Sequence, residues 1–192
     1  MSCDYHDEER RAAAMAAGLI AGHRLKWRNA LDEVFRDTGI RPTESLVASE
    51  IRRWFDCFDR DGHRETLRRK REAALVIMRS LREWHPFITG HVLSGAATDD
   101  TAVELLILTE DEKGVELSLL SLGVDFEVLD FEVRGRHSRI SLLIECREEN
   151  IILTVENASN SVKSIPPDEW QRPLEAKLRL DENGLKTLLN ED

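Results

Sequence analysis

Four consecutive cations, Arg68-Arg69-Lys70-Arg71, form the densest positively charged cluster in the sequence. Such a cluster could bind a phosphate group. Four successive residues spread around most of a helix, however, so these side chains would form a collar and no single basic face. The alternative is a solvated surface on which the cations pair with Glu65 and Glu72 at helical spacing. We expect no high-affinity nucleic-acid site at residues 64–71.

A second cluster, Cys57-x-Asp59-x-Asp61-Gly62, has the spacing found in the middle of a calcium-binding EF-hand loop. With Gly62 at the sixth loop position, Cys57 occupies the first position and Arg68 the twelfth. Calcium requires a carboxylate at both of these positions. The cluster therefore predicts a polar turn between two helices and no calcium site.

Cysteines and histidines show no spacing that is typical of a metal site or a catalytic site. The three cysteines are far apart and form no CxxC pair, which predicts free thiols in a reducing compartment. His85, His91 and His137 form no HxH or HxxxH pair. The motifs GxxxxGK[ST], GxGxxG and GxSxG are also missing, which argues against the commonest ATPase, dinucleotide-binding and hydrolase classes.

Residues 90–105 have the pattern of a strand, a turn of small residues and a second strand that carries an acid. The turn contains Ser94, Gly95 and Ala96, and the acid is Glu104. This order resembles the core of the DNA polymerase β-type nucleotidyltransferase superfamily. In that superfamily a Gly-Ser turn approaches the triphosphate, and an Asp-x-Asp pair on the next strand holds two magnesium ions. Alternate strand residues share one face, so two carboxylates two positions apart can bind the same metals.

A closer resemblance, to a group of bacterial nucleotidyltransferase-like proteins, covers residues 71–125 well and the rest of the chain loosely. The pattern of that group is Gly-x-Val-Leu-x-Gly-Thr-Ala, a short loop, Ser-Asp-Ile-x-Leu, a Lys-Asp-Val-Glu helix and Gly-Ile-Asp-Phe. The matching residues are Gly90, Val92, Leu93, Gly95, Ala97, Thr101-Ala102-Val103-Glu104-Leu105, Lys113-Gly114-Val115-Glu116 and Gly123-Val124-Asp125-Phe126. Each match is short, and the resemblance rests on their order and spacing.

The resemblance also shows where this sequence departs from the pattern of active enzymes. Ala102 stands where the first catalytic aspartate is expected, and Glu104 stands where the second acid is expected. The loop that joins Gly95 to Ala102 is shorter than in typical active enzymes. A single carboxylate should bind a pair of metals poorly, because each metal loses a charged ligand. A third acid would come from a later strand, and the candidates are Glu132, Glu145 and Glu156.

The resemblance therefore gives a short set of candidate site residues. Ser94, Gly95 and Ala96 are the candidate nucleotide-binding residues, and Glu104 is the candidate ligand for a weakly bound Mg²⁺. The alternative for Glu104 is a solvated residue on a half-buried strand. No residue is assigned a catalytic role.

The elements that would position these residues change in character at Pro86. Before it, apolar residues at helical spacing predict helices over 8–35, 43–58 and 64–84, and Gly39 is predicted as the C-cap that ends the first of them. The apolar stripe of the second helix contains Leu46, Val47, Ile51, Trp54, Phe55 and Phe58. Beyond it, the sequence predicts strands at 87–93, 101–108 and 126–133, a helix at 112–122 and a hairpin formed by 138–145 and 150–157. The remaining predictions are a loop at 159–167, a helix at 168–178 and a short helical turn after Gly184.

The net charge of −10 is unevenly distributed. Residues 1–85 contain 17 Lys and Arg against 15 Asp and Glu, a net of +2, whereas residues 86–192 contain 10 against 22, a net of −12. The acidic half would repel a phosphate backbone, which argues against a nucleic-acid partner. No stretch approaches the roughly 18 apolar residues that span a bilayer. The start of the sequence is acidic and polar, so we expect no secretory signal and a cytoplasmic location.

These observations predict an α+β protein, with a helical module at 1–85 and a nucleotidyltransferase-like domain at 86–192 that contains a small mixed sheet and flanking helices. The function that we expect is a binding or regulatory role, directed at a protein partner or a nucleotide, without catalysis. Two alternatives remain open. One is an active metal-dependent nucleotidyltransferase that uses Glu104, and the other is a structural module for protein interaction.

Overall fold

The protein is described by a computed structural model that covers residues 2–134, 137–157 and 179–191. These residues form seven α-helices and one five-stranded sheet, which confirms the predicted α+β class. The chain divides into two compact units, residues 1–67 with 94–100 and residues 68–93 with 101–192. The domain boundary predicted at residue 85 stays a prediction. In the described part of the chain, no helix is long and apolar enough to cross a membrane.

The first unit is helical. Its elements are α1 (Ser2–Ala17), a π-helical segment (Gly18–Gly22), α2 (Trp27–Thr38), α3 (Glu44–Phe58) and the start of α4 (Arg60–Ser80). The single helix predicted over 8–35 is therefore interrupted. The π-helical segment starts and ends at the two glycines that weaken helix propensity there, and residues 23–26 separate it from α2. Gly39 ends α2 with φ of 72° and donates its N–H to the carbonyl of Phe35, which confirms the predicted C-cap.

The core of this unit is built from small and branched residues that allow close helix packing. Its buried members are Ala12, Ala13, Ala16, Ala17, Ile20, Ala30, Val34, Val47, Ala48, Ile51, Phe55 and Ala96. Helix α3 supplies four of these residues, and three of them, Val47, Ile51 and Phe55, belong to the predicted apolar stripe. Phe58, which the periodicity also placed in the stripe, is 71% exposed because it lies at the last position of α3, past the end of the packed region.

The predicted polar turn between the second and third helices is shorter than expected. Helix α3 ends at Phe58 and α4 begins at Arg60, so the break is a single residue, Asp59. The carboxylate of Asp59 accepts a hydrogen bond of 3.2 Å from the N–H of Gly62. This is the contact of a helix N-cap, which explains why α4 starts earlier than the predicted residue 64.

The second unit is built on the sheet. Its strands are β1 (Phe87–Thr89), β2 (Val103–Leu108), β3 (Phe126–Arg134), β4 (His137–Cys146) and β5 (Glu149–Glu156). They lie in the order β1-β2-β5-β4-β3, and every neighbouring pair is antiparallel except β2 and β5, which are parallel. The mixed sheet and the predicted hairpin, which joins β4 to β5, are both confirmed.

Three helices accompany the sheet: α5 (Gly90–Ser94), α6 (Glu112–Ser121) and α7 (Glu182–Glu191). The strand predicted over 87–93 is wrong beyond Thr89, because Gly90 takes φ of 70° and the chain turns into α5. The last element, α7, is a helix of ten residues, which is longer than the short helical turn predicted there. The helix predicted at 168–178 and the loop predicted at 159–167 lie outside the described residues.

One face of the sheet, here called the core face, is buried on its three central strands. Its residues on the three central strands are Val103, Leu105, Ile107, Ile140, Leu142, Ile144, Ile151, Leu153 and Val155, all buried. Helices α4 and α6 supply further buried residues to the same unit, among them Met78, Leu81, Val115 and Leu119. The alternating burial along β2 places Glu104 on the opposite face, which is only partly buried.

Candidate functional site

The turn that holds the candidate nucleotide-binding residues is anchored within the helical unit. Ser94 is the last residue of α5, and its carbonyl accepts a hydrogen bond of 2.7 Å from the Arg52 guanidinium. Gly95 has φ of 77°, and a Cβ at this position would meet the Arg52 side chain at 3.4 Å. Ala96 is 1% exposed and belongs to the apolar core of the helices. The methyl group of Ala96 therefore stabilises packing.

Further along the same turn, two side chains of the helical unit hold the backbone and an acid. The Nε2 atom of His63 lies 3.0 Å from the carbonyl oxygen of Ala97, and the His63 ring stacks on the ring of Phe55. The hydroxyl of Thr66 donates a hydrogen bond of 2.9 Å to the Asp99 carboxylate. A turn that must wrap around a triphosphate needs exposed backbone amides and room for the ligand. This turn is instead packed against its own unit.

The candidate metal ligand, Glu104, belongs to the sheet unit. It is paired with Thr89 of β1 and with Ile152 of β5. Its carboxylate lies directly over Gly90, since a Cβ on Gly90 would come within 2.5 Å of the Glu104 carboxyl carbon. Gly90 also has a positive φ, so any side chain at position 90 would be strained as well as obstructed. The strand pattern and this glycine thus fix the position of the Glu104 side chain.

Ser94, Gly95 and Ala96 fall in the first unit, and Glu104 falls in the second. The shared concavity that the resemblance implies for these residues stays a prediction.

The register of the sheet gives the separation between Glu104 and the three candidates for a third acid. Glu156 is aligned with Leu108, four residues past Glu104, or about 13 Å along the strand. Glu145, opposite Asn150, is two strands away, or about 10 Å across the sheet before any offset along it. Glu132, opposite Arg139, is three strands away, or about 14 Å. Metals in a two-metal site lie only about 3.5–4 Å apart.

The residues around β2 therefore do not fit a pair of magnesium ions. Ala102 directly precedes β2, two positions before Glu104, so the sequence position expected for a second carboxylate holds a methyl group. Glu156 is also engaged elsewhere, with its Oε1 atom 3.6 Å from Nε of Arg139. In residues 2–134, 137–157 and 179–191, no group of three or more His, Cys, Asp or Glu side chains is arranged to hold a metal ion.

The basic run on α4 is the feature that sequence reasoning placed wrongly. Lys70 and Arg71 are 1% and 3% exposed, so they are not part of a solvated collar. The Lys70 ammonium donates a hydrogen bond of 2.6 Å to Glu149, whose other carboxylate oxygen accepts one from Arg69. Arg71 donates to the carbonyl oxygens of Val92 and Leu93.

A signal for this burial was present in the sequence. Lys70 lies three residues after Leu67 and four before Ala74, which places it within the apolar stripe of α4. Arg68, the first residue of the run, follows the predicted pattern, because it forms an ion pair of 3.1 Å with Glu72. The basic run is thus largely a structural feature of the second unit.

Cys57 and Cys146 are free thiols, as predicted. Burial raises the pKa of the Cys146 thiol, and the nearby Arg147 guanidinium lowers it by a smaller amount. Because the thiolate is the nucleophilic form, the raised pKa makes Cys146 a poor nucleophile at neutral pH.

Comparisons of the chain with protein-family models, with curated proteins and with solved structures each found no match. The fold itself defines the class of the protein, which is α+β with a helical unit and a mixed five-stranded sheet. The nucleotidyltransferase-like assignment rests on the resemblance in the sequence alone.

Proposed function

We propose that this chain is a nucleotidyltransferase-like protein without catalytic activity, which acts by binding or regulating a partner protein. The observation that carries the proposal is the alanine at position 102, which directly precedes β2 and lies two residues before Glu104. Two-metal phosphoryl-transfer chemistry depends on positioning and on charge neutralisation by shared carboxylates. With one carboxylate on this strand, neither the attacking oxygen nor the triphosphate would be held well.

The packing of the turn at residues 94–100 supports the same proposal. Ala96 and Ala97 are fully buried, and the side chains of Arg52, His63 and Thr66 contact the turn. A turn held in this way stabilises the helical unit, and the exposed surfaces of the protein are left for partner recognition.

A direct test incubates the purified full-length protein with each labelled nucleoside triphosphate, with Mg²⁺ or Mn²⁺, and with a mixed pool of RNA and protein acceptors. We expect no nucleotidyl transfer. Transfer that disappears in Glu104→Gln would overturn the proposal and would instead support an active enzyme that uses Glu104. Because Glu104→Gln keeps the size of the side chain, loss of activity in this variant would report on the carboxylate.

The reverse experiment tests the resemblance. Ala102→Asp restores the missing acid, and Ala102→Asn is its control of the same size without the charge. We expect Mg²⁺ with a nucleoside triphosphate to raise the melting temperature of Ala102→Asp and to leave that of Ala102→Asn and of the natural protein unchanged. If no variant responds while all remain folded, the nucleotidyltransferase-like assignment loses its support.

A further inference from the structure

The edge strand β3 carries apolar residues that continue the core face but are not covered. Val128 is paired with Leu142 of β4, and Phe131 is paired with Ile140, so both lie on the core face of the sheet. Leu142 and Ile140 are 0% and 5% exposed, whereas Val128 and Phe131 are 51% and 57% exposed. In residues 2–134, 137–157 and 179–191, the helical layer that buries the core face on β4 therefore stops before β3.

Helix α6 forms the border of this uncovered strip. Its residues Val115 and Leu119 are completely buried. Its first residue, Glu112, accepts a hydrogen bond from the hydroxyl of Ser138 on β4. Ser138 is two positions before Ile140 and shares the core face with it. Helix α6 thus lies on the core face beside β4, next to the exposed side chains of β3.

The surface of α6 adds further exposed apolar residues. Glu112, Glu116 and Leu120 recur every four residues and therefore share the side of the helix that Glu112 directs towards β4. Leu120 is 61% exposed. We define the β3–α6 ledge by the exposed apolar residues Leu120, Leu122, Val128 and Phe131. Leu117 is also exposed, but it lies two positions from the buried Val115 and Leu119 and therefore on the far side of α6. Scattered exposed apolar residues are common on proteins, but a concentration on two successive elements is typical of an interaction surface.

The charge around the ledge indicates the kind of partner. Residues 110–125, which include α6, contain five acidic residues and a single lysine, a net of −4. The acids of β3, Glu127, Asp130 and Glu132, are paired with Leu143, Ser141 and Arg139 and therefore lie on the opposite face of the sheet. Two copies of the chain that met through this surface would bring two such charges together. A partner with cations around its apolar residues would be attracted instead.

The mode of docking follows from the edge of the sheet. β3 contains a bulge between Val128 and Asp130 and carries the acids Glu127, Asp130 and Glu132. Bulges and charges on an edge strand oppose the addition of a further strand. The apolar side chains of the ledge, in contrast, lie beside a helical layer, where another helix can continue the packing.

We propose that the β3–α6 ledge binds a cationic amphipathic helix of a partner protein, with the apolar side of that helix on Val128, Phe131 and Leu120. This inference rests on the proposed binding role and gives it a class of partner. The nucleotidyl-transfer assay decides the proposed function, whereas the binding experiment below decides the ledge, so the failure of one is distinct from the failure of the other.

The test uses two synthetic peptides of about 18 residues, or five helical turns, with leucines at helical spacing. In one peptide the remaining positions are lysine, and in the other they are glutamate. Fluorescence anisotropy with the full-length protein should show binding of the lysine peptide, weakened by salt, and none of the glutamate peptide. The double change Val128→Ser and Phe131→Ser should weaken binding at least about tenfold, the loss expected for central apolar contacts.

The matched control is Phe58→Ser, which removes a 71% exposed phenylalanine from the helical unit and should leave the affinity unchanged. Circular dichroism establishes that each variant is folded. Equal affinity of the double variant and the natural protein would overturn the proposal. So would equal losses in the double variant and in Phe58→Ser, or a dimer in sedimentation that the double variant abolishes, since the ledge would then bind a second copy of the chain.

Discussion

The basic run of α4 and the acidic strand β3 are both charged segments in the sequence, but the fold treats them in opposite ways. Lys70 and Arg71 are almost completely buried, and carboxylate or carbonyl oxygens surround their charges. On β3 the acids Glu127, Asp130 and Glu132 are exposed, and so are the apolar residues between them. The charged run of α4 therefore stabilises the interior of the protein, whereas the charged strand β3 forms part of its accessible surface.

This difference shows that the position of a partner, and not the density of charge, decides whether a charged residue is buried. Glu149 follows the turn of the β4–β5 hairpin and is itself 4% exposed. It provides the compensating charge without which the burial of Lys70 would be prohibitive. Residues 70 and 149 are far apart in the chain, so only the folded structure brings them together.

The largest expected effect comes from breaking this buried pair. Glu149→Gln removes the charge opposite Lys70 while it keeps the size of the side chain. We expect a loss of about 3–5 kcal/mol in the free energy of unfolding, because an ammonium group is left buried without its counter-ion. Urea denaturation followed by circular dichroism measures the loss.

The control for this change is Glu148→Gln, one residue earlier in the exposed turn, for which we expect a change of less than about 0.5 kcal/mol. The double change Lys70→Met and Glu149→Leu should recover much of the lost stability, since it removes both charges together. A loss below about 1 kcal/mol in Glu149→Gln would show that Lys70 is solvated and that the contrast with β3 is wrong.

An intermediate effect is expected from residues that face each other across β3 and β4. Leu142→Ala should destabilise the protein by about 2–5 kcal/mol, because it leaves a cavity on the core face. Val128→Ala, at the paired position on β3, should change stability by less than about 1 kcal/mol, because half of that side chain is already in water. Similar losses in the two variants would mean that the ledge is covered in solution.

The smallest effect is expected at an exposed ion pair. The hydrogen bond from Lys186 lowers the pKa of Glu182 below the usual range of glutamate, and Arg79 contributes in the same direction. A lowered folded-state pKa stabilises the protein above the unfolded pKa, and the contribution disappears as the pH falls through the folded-state pKa. The melting temperature of Glu182→Gln should be slightly lower than that of the natural protein at pH 7 and equal to it at strongly acidic pH.

The control for this prediction is Glu145→Gln, an exposed glutamate on β4. Its melting temperature should follow that of the natural protein across the same pH range. A difference for Glu182→Gln that grows on acidification would contradict the direction of the pKa shift.

Local signals in the sequence determined a substantial part of the fold. A mostly apolar run predicted strand β2, and two strand-like runs joined by a short turn predicted the β4–β5 hairpin. The C-cap at Gly39 followed from the left-handed conformation that glycine allows. Helix α6 was predicted to within one residue of its observed end. These features succeeded because neighbours within a few residues set the backbone conformation there.

The tertiary structure alone decided the environment of the candidate site residues and of the charged runs. The sequence could place Ala96 in a turn of small residues but could not show that the helical unit buries it. It could offer Glu132, Glu145 and Glu156 as acids, but the strand order separates all three from Glu104. Burial and strand order depend on contacts between residues that are distant in the chain, and a periodic pattern within one element contains no information about the identity of its neighbours.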